Sequence, residues 1–530
     1  MTSAPASKMS ALACLVALAA SCTAPAPRPA PATPAVAPGP VAAPAEVPSG
    51  GRVAPKPEAP IELDAAKEAH TPEEPQGARP AGPDTGARDF GALWVPAGAL
   101  DHLSKRVGQR REGAPLVVVQ YGDSHSRAGV MPRALRDKLG EAAEPGYTQV
   151  GHPPRGEVVT KRSGRWTRHN WLYRGDAAPF GPMGVAFSTA DPDARMSLKL
   201  RSGPALPGTR ATIFFSGAQT PPPFEIRGGE AVLLEFTGEG FEHSPLAMRG
   251  FEIPPGLEEV TLHMSCRPCQ QEARLRVFGF LVQVTGADIS WDNFGVGGTT
   301  IFSPHKRADE AVEAYLGHRS PDLLVLWYGA NSSPDPSLNV SAYKRRYAQL
   351  VRRFRAAAPE ASCLLVGPPD MALFKERTCF MNKRERRLAR KKNKTSADRK
   401  RLRKRRRARA CNPKSLVRRS ASGAVDYPGP RIHSKRRWRS YLETCKPATP
   451  TTLPRIVAAQ REVAEELGCA YFDIYADMGG AGTALDWACQ EEPALISADL
   501  IHMTRAGYEK VAAAIHASLS EAIASRAAQR

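Results

Sequence analysis

Val117 to Val119 is an apolar, β-branched run that reads as a buried strand, and it leads straight into Gly122-Asp123-Ser124-His125-Ser126. This junction constrains the fold more than any other stretch. A buried strand that ends in a glycine turn and passes into a helix is the unit of a doubly wound α/β sheet. Such sheets open their ligand crevice just beyond the C-terminal ends of the strands, where Ser124 stands. Two readings of the turn are open here: Ser124 as a nucleophile, or an Asp or Ser that caps a helix.

The α/β texture extends over separate stretches. Residues 323–326, 362–366 and 470–474 read as further strands, and 103–110, 132–139, 307–316, 343–358, 452–467 and 507–523 as helices. The strand at 323–326 ends in Gly329-Ala330-Asn331, which can aim an amide into the crevice. The turn Asn293 to Thr300 is rich in glycine but lacks GxGxxG spacing, so a dinucleotide site is disfavoured.

Between these stretches the pattern changes. Segments 196–200, 211–215, 231–236, 259–264 and 273–284 are short strands separated by turn residues such as Gly228-Gly229, with no helix between them. That spacing predicts a β-sandwich or jelly roll inserted into the α/β domain. Residues 141–187 read as a loop carrying Tyr147, Trp166, His169, Trp171, Tyr173 and Phe180. These aromatics form either a glycan-binding face or the packing between the two modules.

The N-terminus reads as an export signal. Residues 1–21 combine Lys8, a short apolar run and small residues before Cys22. They resemble a bacterial lipoprotein signal with Cys22 as the lipidated residue, although Ala19 stands where leucine is usual. Thr23, not Asp, after that cysteine implies the outer membrane by the same resemblance. An ordinary cleaved signal is the alternative. Residues 22–88 are rich in Ala and Pro and poor in aromatics, which predicts a disordered tether.

The charge is uneven. The chain carries +20, yet residues 375–440 alone hold 27 Lys and Arg against 4 Asp and Glu, so the remainder is near neutral. Residues 371–448 are expected to be a flexible, non-catalytic insertion able to touch polyanions. Nucleic acid is not an expected partner, because the chain is exported and shows no aromatic interleaving for base stacking. Cys266-Arg267-Pro268-Cys269 suggests a local disulfide rather than zinc, since two further ligands are lacking. Cys363, Cys379, Cys411, Cys445, Cys469 and Cys489 form an even set whose pairing sequence does not settle.

Near the C-terminus, Asp499-Leu500-Ile501-His502 precedes the last helix. An imidazole suits the activation of a serine hydroxyl at neutral pH, and it needs an acceptor on its other nitrogen. A tetrahedral intermediate needs N–H donors. Ser124, His502 and Asp499 answer the first needs, and the backbones of Ser124 and Gly298 with the Asn331 side chain answer the last.

Taken together these blocks resemble the SGNH (GDSL-type) hydrolases: Gly-Asp-Ser at 122–124, Gly298, Gly-x-Asn at 329–331 and Asp-x-x-His at 499–502, in family order. No Gly-x-Ser-x-Gly elbow is present. The Gly-Asp-Ser-His-Ser run and the β insertion resemble bacterial peptidoglycan O-acetylesterases of this clan. The resemblance implies a flavodoxin-like three-layer α/β fold with an inserted β-sandwich (jelly-roll) module. It assigns hydrolase parts to 89–187, 288–370 and 449–530 and a carbohydrate-binding-like sandwich to 188–287. It further implies catalysis by Ser124, His502 and Asp499, an oxyanion hole of Ser124, Gly298 and Asn331, no cofactor or metal, and an acetylated glycan as substrate; the N-terminal signal separately implies a lipid-anchored protein at the periplasmic face of the outer membrane, or a periplasmic or secreted one. A polysaccharide O-acetyltransferase and a non-catalytic wall-binding lipoprotein are the alternatives. The basic insertion, and Met503 where the family has proline, are departures.

Overall fold

Along the strand Leu116–Gly122, successive side chains go to opposite faces: Leu116 and Val118 join one apolar cluster, Val119 and Tyr121 another. A strand buried on both faces belongs inside a three-layer α/β domain. The computed structural model describes residues 87–109, 114–140, 142–151, 157–170, 179–266, 273–303, 309–374, 383–391, 393–411, 418–419, 425–426 and 445–528. The expected signal, Cys22 and most of the tether lie outside the described residues, as do Trp171, Tyr173, Cys269 and Cys379.

Eight strands form the main sheet. From one edge they are Arg88–Phe90, Leu93–Val95, Ala470–Phe472, Ser362–Val366, Leu323–Trp327, Leu116–Gly122, Ile289–Gly295 and Ala143–Glu144. The long central strands are parallel, and in chain order they run 2-1-3-4-5, the flavodoxin-like arrangement. The order reverses beside Leu116–Gly122, so its C-terminal end faces the crevice. Helices Asp101–Gly108, Val130–Leu139 and Arg505–Ala527 cover one face, and Asp309–Arg319, Val340–Ala357 and Thr452–Leu467 the other. Asn339 caps the helix Val340–Ala357 by accepting from the Ala342 N–H, and Thr504 caps Arg505–Ala527 through Gly507.

The β-sandwich is inserted between the first and second parallel strands and has its own core. One sheet runs Ser244–Glu252, Arg210–Gly217, Leu275–Gln283, Val185–Thr189, Thr167–Asn170, with Gly146–Gln149 also paired to Leu275–Gln283. The other runs Ala231–Phe236, Phe224–Gly228, Glu259–Met264, Arg195–Leu200, Val158–Ser163. The expected boundary at 188 is therefore corrected. The module begins near Gly146, because four strands between 146 and 189 belong to it rather than to a loop. Tyr147 is buried and packs the junction: its ring lies 4.7 Å from Phe294 and 5.4 Å from Tyr315, which in turn lies 5.4 Å from Phe214. Phe180 is buried too, whereas the Trp166 indole donates to the Ser163 carbonyl at 3.0 Å near the surface.

The basic insertion also needs correction. Its described part holds the helices Lys383–Arg390 and Ser396–Cys411, and Cys411 is disulfide-bonded to Cys489. Met371 and Ala372 are core residues, so hydrolase packing extends past 370. Cys363 pairs with Cys469, joining two neighbouring strand regions, and Cys266 and Cys445 are each disulfide-bonded. Among the described residues no helix is long and apolar enough to cross a membrane.

Candidate active site

The turn after Leu116–Gly122 is tight because nothing larger than glycine fits. A Cβ at Gly122 would lie 2.0 Å from Ser126 Oγ and 2.7 Å from the Trp327 carbonyl. Asp123 then caps the short helix Ser124–Arg127, its carboxylate accepting the His125 N–H at 2.9 Å. The capping reading and the nucleophile reading are thus compatible, since capping falls to Asp123 and leaves the Ser124 hydroxyl free. Gln120 and Asn293 brace this helix: Gln120 Nε2 donates to Ser126 Oγ at 2.8 Å, and Asn293 Nδ2 to the Ser126 carbonyl at 2.7 Å.

The loop before the last helix brings the imidazole across. His502 Nε2 lies 2.8 Å from Ser124 Oγ, and His502 Nδ1 lies 2.9 Å from Asp499 Oδ2. The other Asp499 oxygen accepts from Ser497 Oγ at 2.7 Å, the His502 N–H at 2.9 Å and the Ile501 N–H at 3.0 Å. Between them, buried Leu500 adopts φ +62°, a left-handed conformation uncommon for a non-glycine residue. That turn lets Asp499 face the ring three residues later.

The electrostatics follow from these contacts. Burial opposes ionisation of Asp499, but hydrogen bonds from His502 and Ser497 outweigh it and hold its pKa well below the usual carboxylate range. The Asp499 hydrogen bond raises the pKa of His502 above its ordinary 6.5, against a smaller opposing effect of burial. Beneath it lies His125, its ring centroid 5.2 Å from that of His502 and its Nδ1 3.1 Å from the Tyr508 hydroxyl. Burial, with the nearby His502, pushes the pKa of His125 down to about 3, so this second imidazole stays neutral. Burial lifts Asp123 to about 7, although N–H groups of His125 and Ala330 support its carboxylate.

The expected donors converge on the same turn. The Val296 N–H bonds the Gly122 carbonyl at 2.9 Å, which fixes the glycine-rich loop to the nucleophile turn. Gly298 has φ +83°, so glycine serves the backbone there. Neither the Ser124 nor the Gly298 N–H is engaged by a described backbone carbonyl. Asn331 Nδ2 donates to the Thr299 carbonyl at 2.9 Å, which ties it beside Gly298 and leaves its second N–H to act. Among the described residues no three His, Cys, Asp or Glu side chains are grouped to hold a metal.

Sequence reasoning named Ser124, Asp499, His502, Gly298 and Asn331 and allowed Asp123 as a helix cap, but gave no part to His125 or Ser497. His125 stands inside the quoted motif, and only its burial shows what it does.

Residues 272–515 match the GDSL-like lipase/acylhydrolase family model. The match takes in Gly298, Asn331, Asp499 and His502, and the sandwich separates it from Ser124. The chain carries a GDSL-type SGNH hydrolase domain. A solved structure titled as a peptidoglycan O-acetylesterase in action is 17% identical, with 82% of this chain and 100% of that one covered and a TM-score of 0.56. It shares the fold. A Bacillus subtilis protein is 9% identical over 67% of this chain and 88% of its own, with a TM-score of 0.26. A family two carbohydrate esterase from Cellvibrio japonicus is 11% identical over 40% and 80%, with a TM-score of 0.15. No curated protein sequence matches.

Proposed function

We propose that this chain is an exported serine esterase that removes O-acetyl groups from a cell-wall glycan, with O-acetylated N-acetylmuramic acid of peptidoglycan as the substrate. One observation carries the reading: a serine hydroxyl 2.8 Å from an imidazole whose other nitrogen meets a carboxylate at 2.9 Å, at the crevice of a GDSL-type domain. The shared fold of the peptidoglycan O-acetylesterase supports the glycan assignment.

In this mechanism His502 takes the Ser124 proton as Oγ attacks the acetyl carbonyl. Asp499 fixes the ring so that Nε2 faces the serine, and it stabilises the imidazolium that forms. The Ser124 and Gly298 N–H groups and the Asn331 amide receive the oxyanion. His502 then gives the proton to the sugar oxygen as its bond to the acetyl carbon breaks, which frees the sugar hydroxyl and leaves acetyl-Ser124. Water, deprotonated by His502, attacks that ester, releases acetate and restores the serine. Cys22 is the proposed lipid attachment site, which would hold the enzyme at the periplasmic face of the outer membrane.

The test is acetate release from O-acetylated peptidoglycan by the wild type and by Ser124→Ala, with base-deacetylated wall as the blank. Release by the wild type alone is expected. Turnover of a small aryl acetate without release from the wall would keep the serine mechanism and remove the glycan assignment.

A further inference from the structure

The arginine-rich helix Ser396–Cys411 is attached to the catalytic domain at its C-terminal end. Its last residue, Cys411, is bonded to Cys489, the last residue of the helix Thr483–Cys489. Ala410 packs against the same apolar cluster as Leu485, Cys489 and Phe374. A turn and a half back along this helix, the half-buried Arg406 places its guanidinium carbon 6.0 Å from the centroid of the Phe374 ring. Phe374 is two residues beyond Ala372, whose N–H bonds the Leu500 carbonyl at 2.9 Å. Leu500 is the residue between Asp499 and Ile501-His502. The helix is therefore fastened beside the loop that carries two of the three reacting groups.

Arg403 lies three residues before Arg406 and shares its face. Its charge is a small effect opposing the rise in the His502 pKa, and Arg406 interacts with the charge of Asp499. Across the turn, Arg127 brings its guanidinium beside Gly297, where an added Cβ would come within 3.2 Å of Nη1. Among the described residues neither Arg403 nor Arg406 forms an ion pair, and Asp499 is committed to His502, Ser497 and the backbone of its own loop. Arg403 and Arg406 thus bring two cations next to the loop of Asp499 and His502, and among the described residues neither is held in a salt bridge. An acetyl ester is neutral and has no use for them. A carboxylate on the same substrate does, because guanidinium groups bind carboxylates through paired N–H donors.

We propose that Arg403 and Arg406 form an anion subsite beside the loop of Asp499 and His502 that holds a carboxylate borne by the O-acetylated glycan itself, which makes acidic glycans the substrate class. This rests on the esterase reading. The attachment of this helix beside the loop of Asp499 and His502 favours the substrate over a remote polyanion as their occupant.

The experiment uses O-acetylated glycan strands in two forms, native and with their carboxylates amidated by carbodiimide and methylamine. Wild type, Arg403→Ala/Arg406→Ala and Arg403→Lys/Arg406→Lys are compared on both. Amidation should lower wild-type kcat/KM by about 10- to 100-fold, mainly through KM. The double alanine variant should lose a similar factor on native strands and become indifferent to amidation, and the lysine pair should recover part of the loss. This coupling between a protein charge and a substrate charge is what a merely structural role would lack. If the alanine pair does not fold, rising salt should slow the wild type on native strands and spare amidated ones. Retention of Ser124→Ala protein on native but not amidated strands reads the subsite without turnover. Equal wild-type rates on both forms, or equal sensitivity of wild type and the alanine pair to amidation, would overturn the subsite and leave the esterase standing. Acetate release from neither form, and from no small ester, would instead overturn the esterase reading and the subsite with it.

Discussion

In the proposed mechanism the chemistry turns on His502, and its surroundings set the pH dependence. The base must be neutral, and the Asp499 hydrogen bond raises its pKa above 6.5. Activity is therefore lost as pH falls through that raised value, so kcat/KM against pH should show an acid limb with a midpoint above 6.5. Asp499→Asn removes the charge that raises it, so the midpoint should move down while kcat falls by about 10⁴. A pH–rate profile of both proteins checks this. Asn331→Ala should cost about 10²–10³ in kcat, as for one lost oxyanion donor, with KM for a small aryl acetate little changed. These roles were legible in sequence because each residue type suits one step and follows a strand or precedes a helix. The neutral state of His125 was not legible, because it depends on burial and on the charge of His502, which only the folded chain brings near.

At the scale of elements, four parallel strands were plain because their runs are mainly apolar, whereas Ile289–Gly295 was not, since Ser290, Asp292 and Asn293 interrupt its apolar pattern and its end read as a glycine-rich turn. The edge hairpin Arg88–Phe90 and Leu93–Val95 was not, since three-residue strands leave too short a pattern. The strands Val158–Ser163 and Thr167–Asn170 are half exposed and polar, which made them look like a loop. They form because the module supplies partners in Arg195–Leu200 and Val185–Thr189. The strand-to-helix turn at Gly122 has its own consequence. In Gly122→Ala the new methyl must displace Ser126 and the Trp327 carbonyl, and overpacking of this kind typically costs about 1–3 kcal/mol. Urea unfolding should show a loss in that range, and esterase activity should fall further than stability explains, because the same turn aims Ser124.

Across the whole molecule, three separated stretches of chain build one sheet, and the site exists only when they meet. Ser124 precedes the sandwich, Gly298 and Asn331 follow it, and His502 comes after the basic insertion. The aromatic contacts among Tyr147, Phe214, Phe294 and Tyr315 join sandwich to sheet, and the Cys411–Cys489 disulfide joins the insertion to the last part of the hydrolase. Composition marked the insertion as one basic block but could not say which of its many cations approach the catalytic loop. That depends on the disulfide, whose pairing an even cysteine count leaves open. The most direct test of the central claim remains acetate release from O-acetylated peptidoglycan, wild type beside Ser124→Ala of unchanged circular dichroism. The account predicts release by the wild type and a loss of at least about 10³-fold in the variant. Equal release by the two proteins would contradict it.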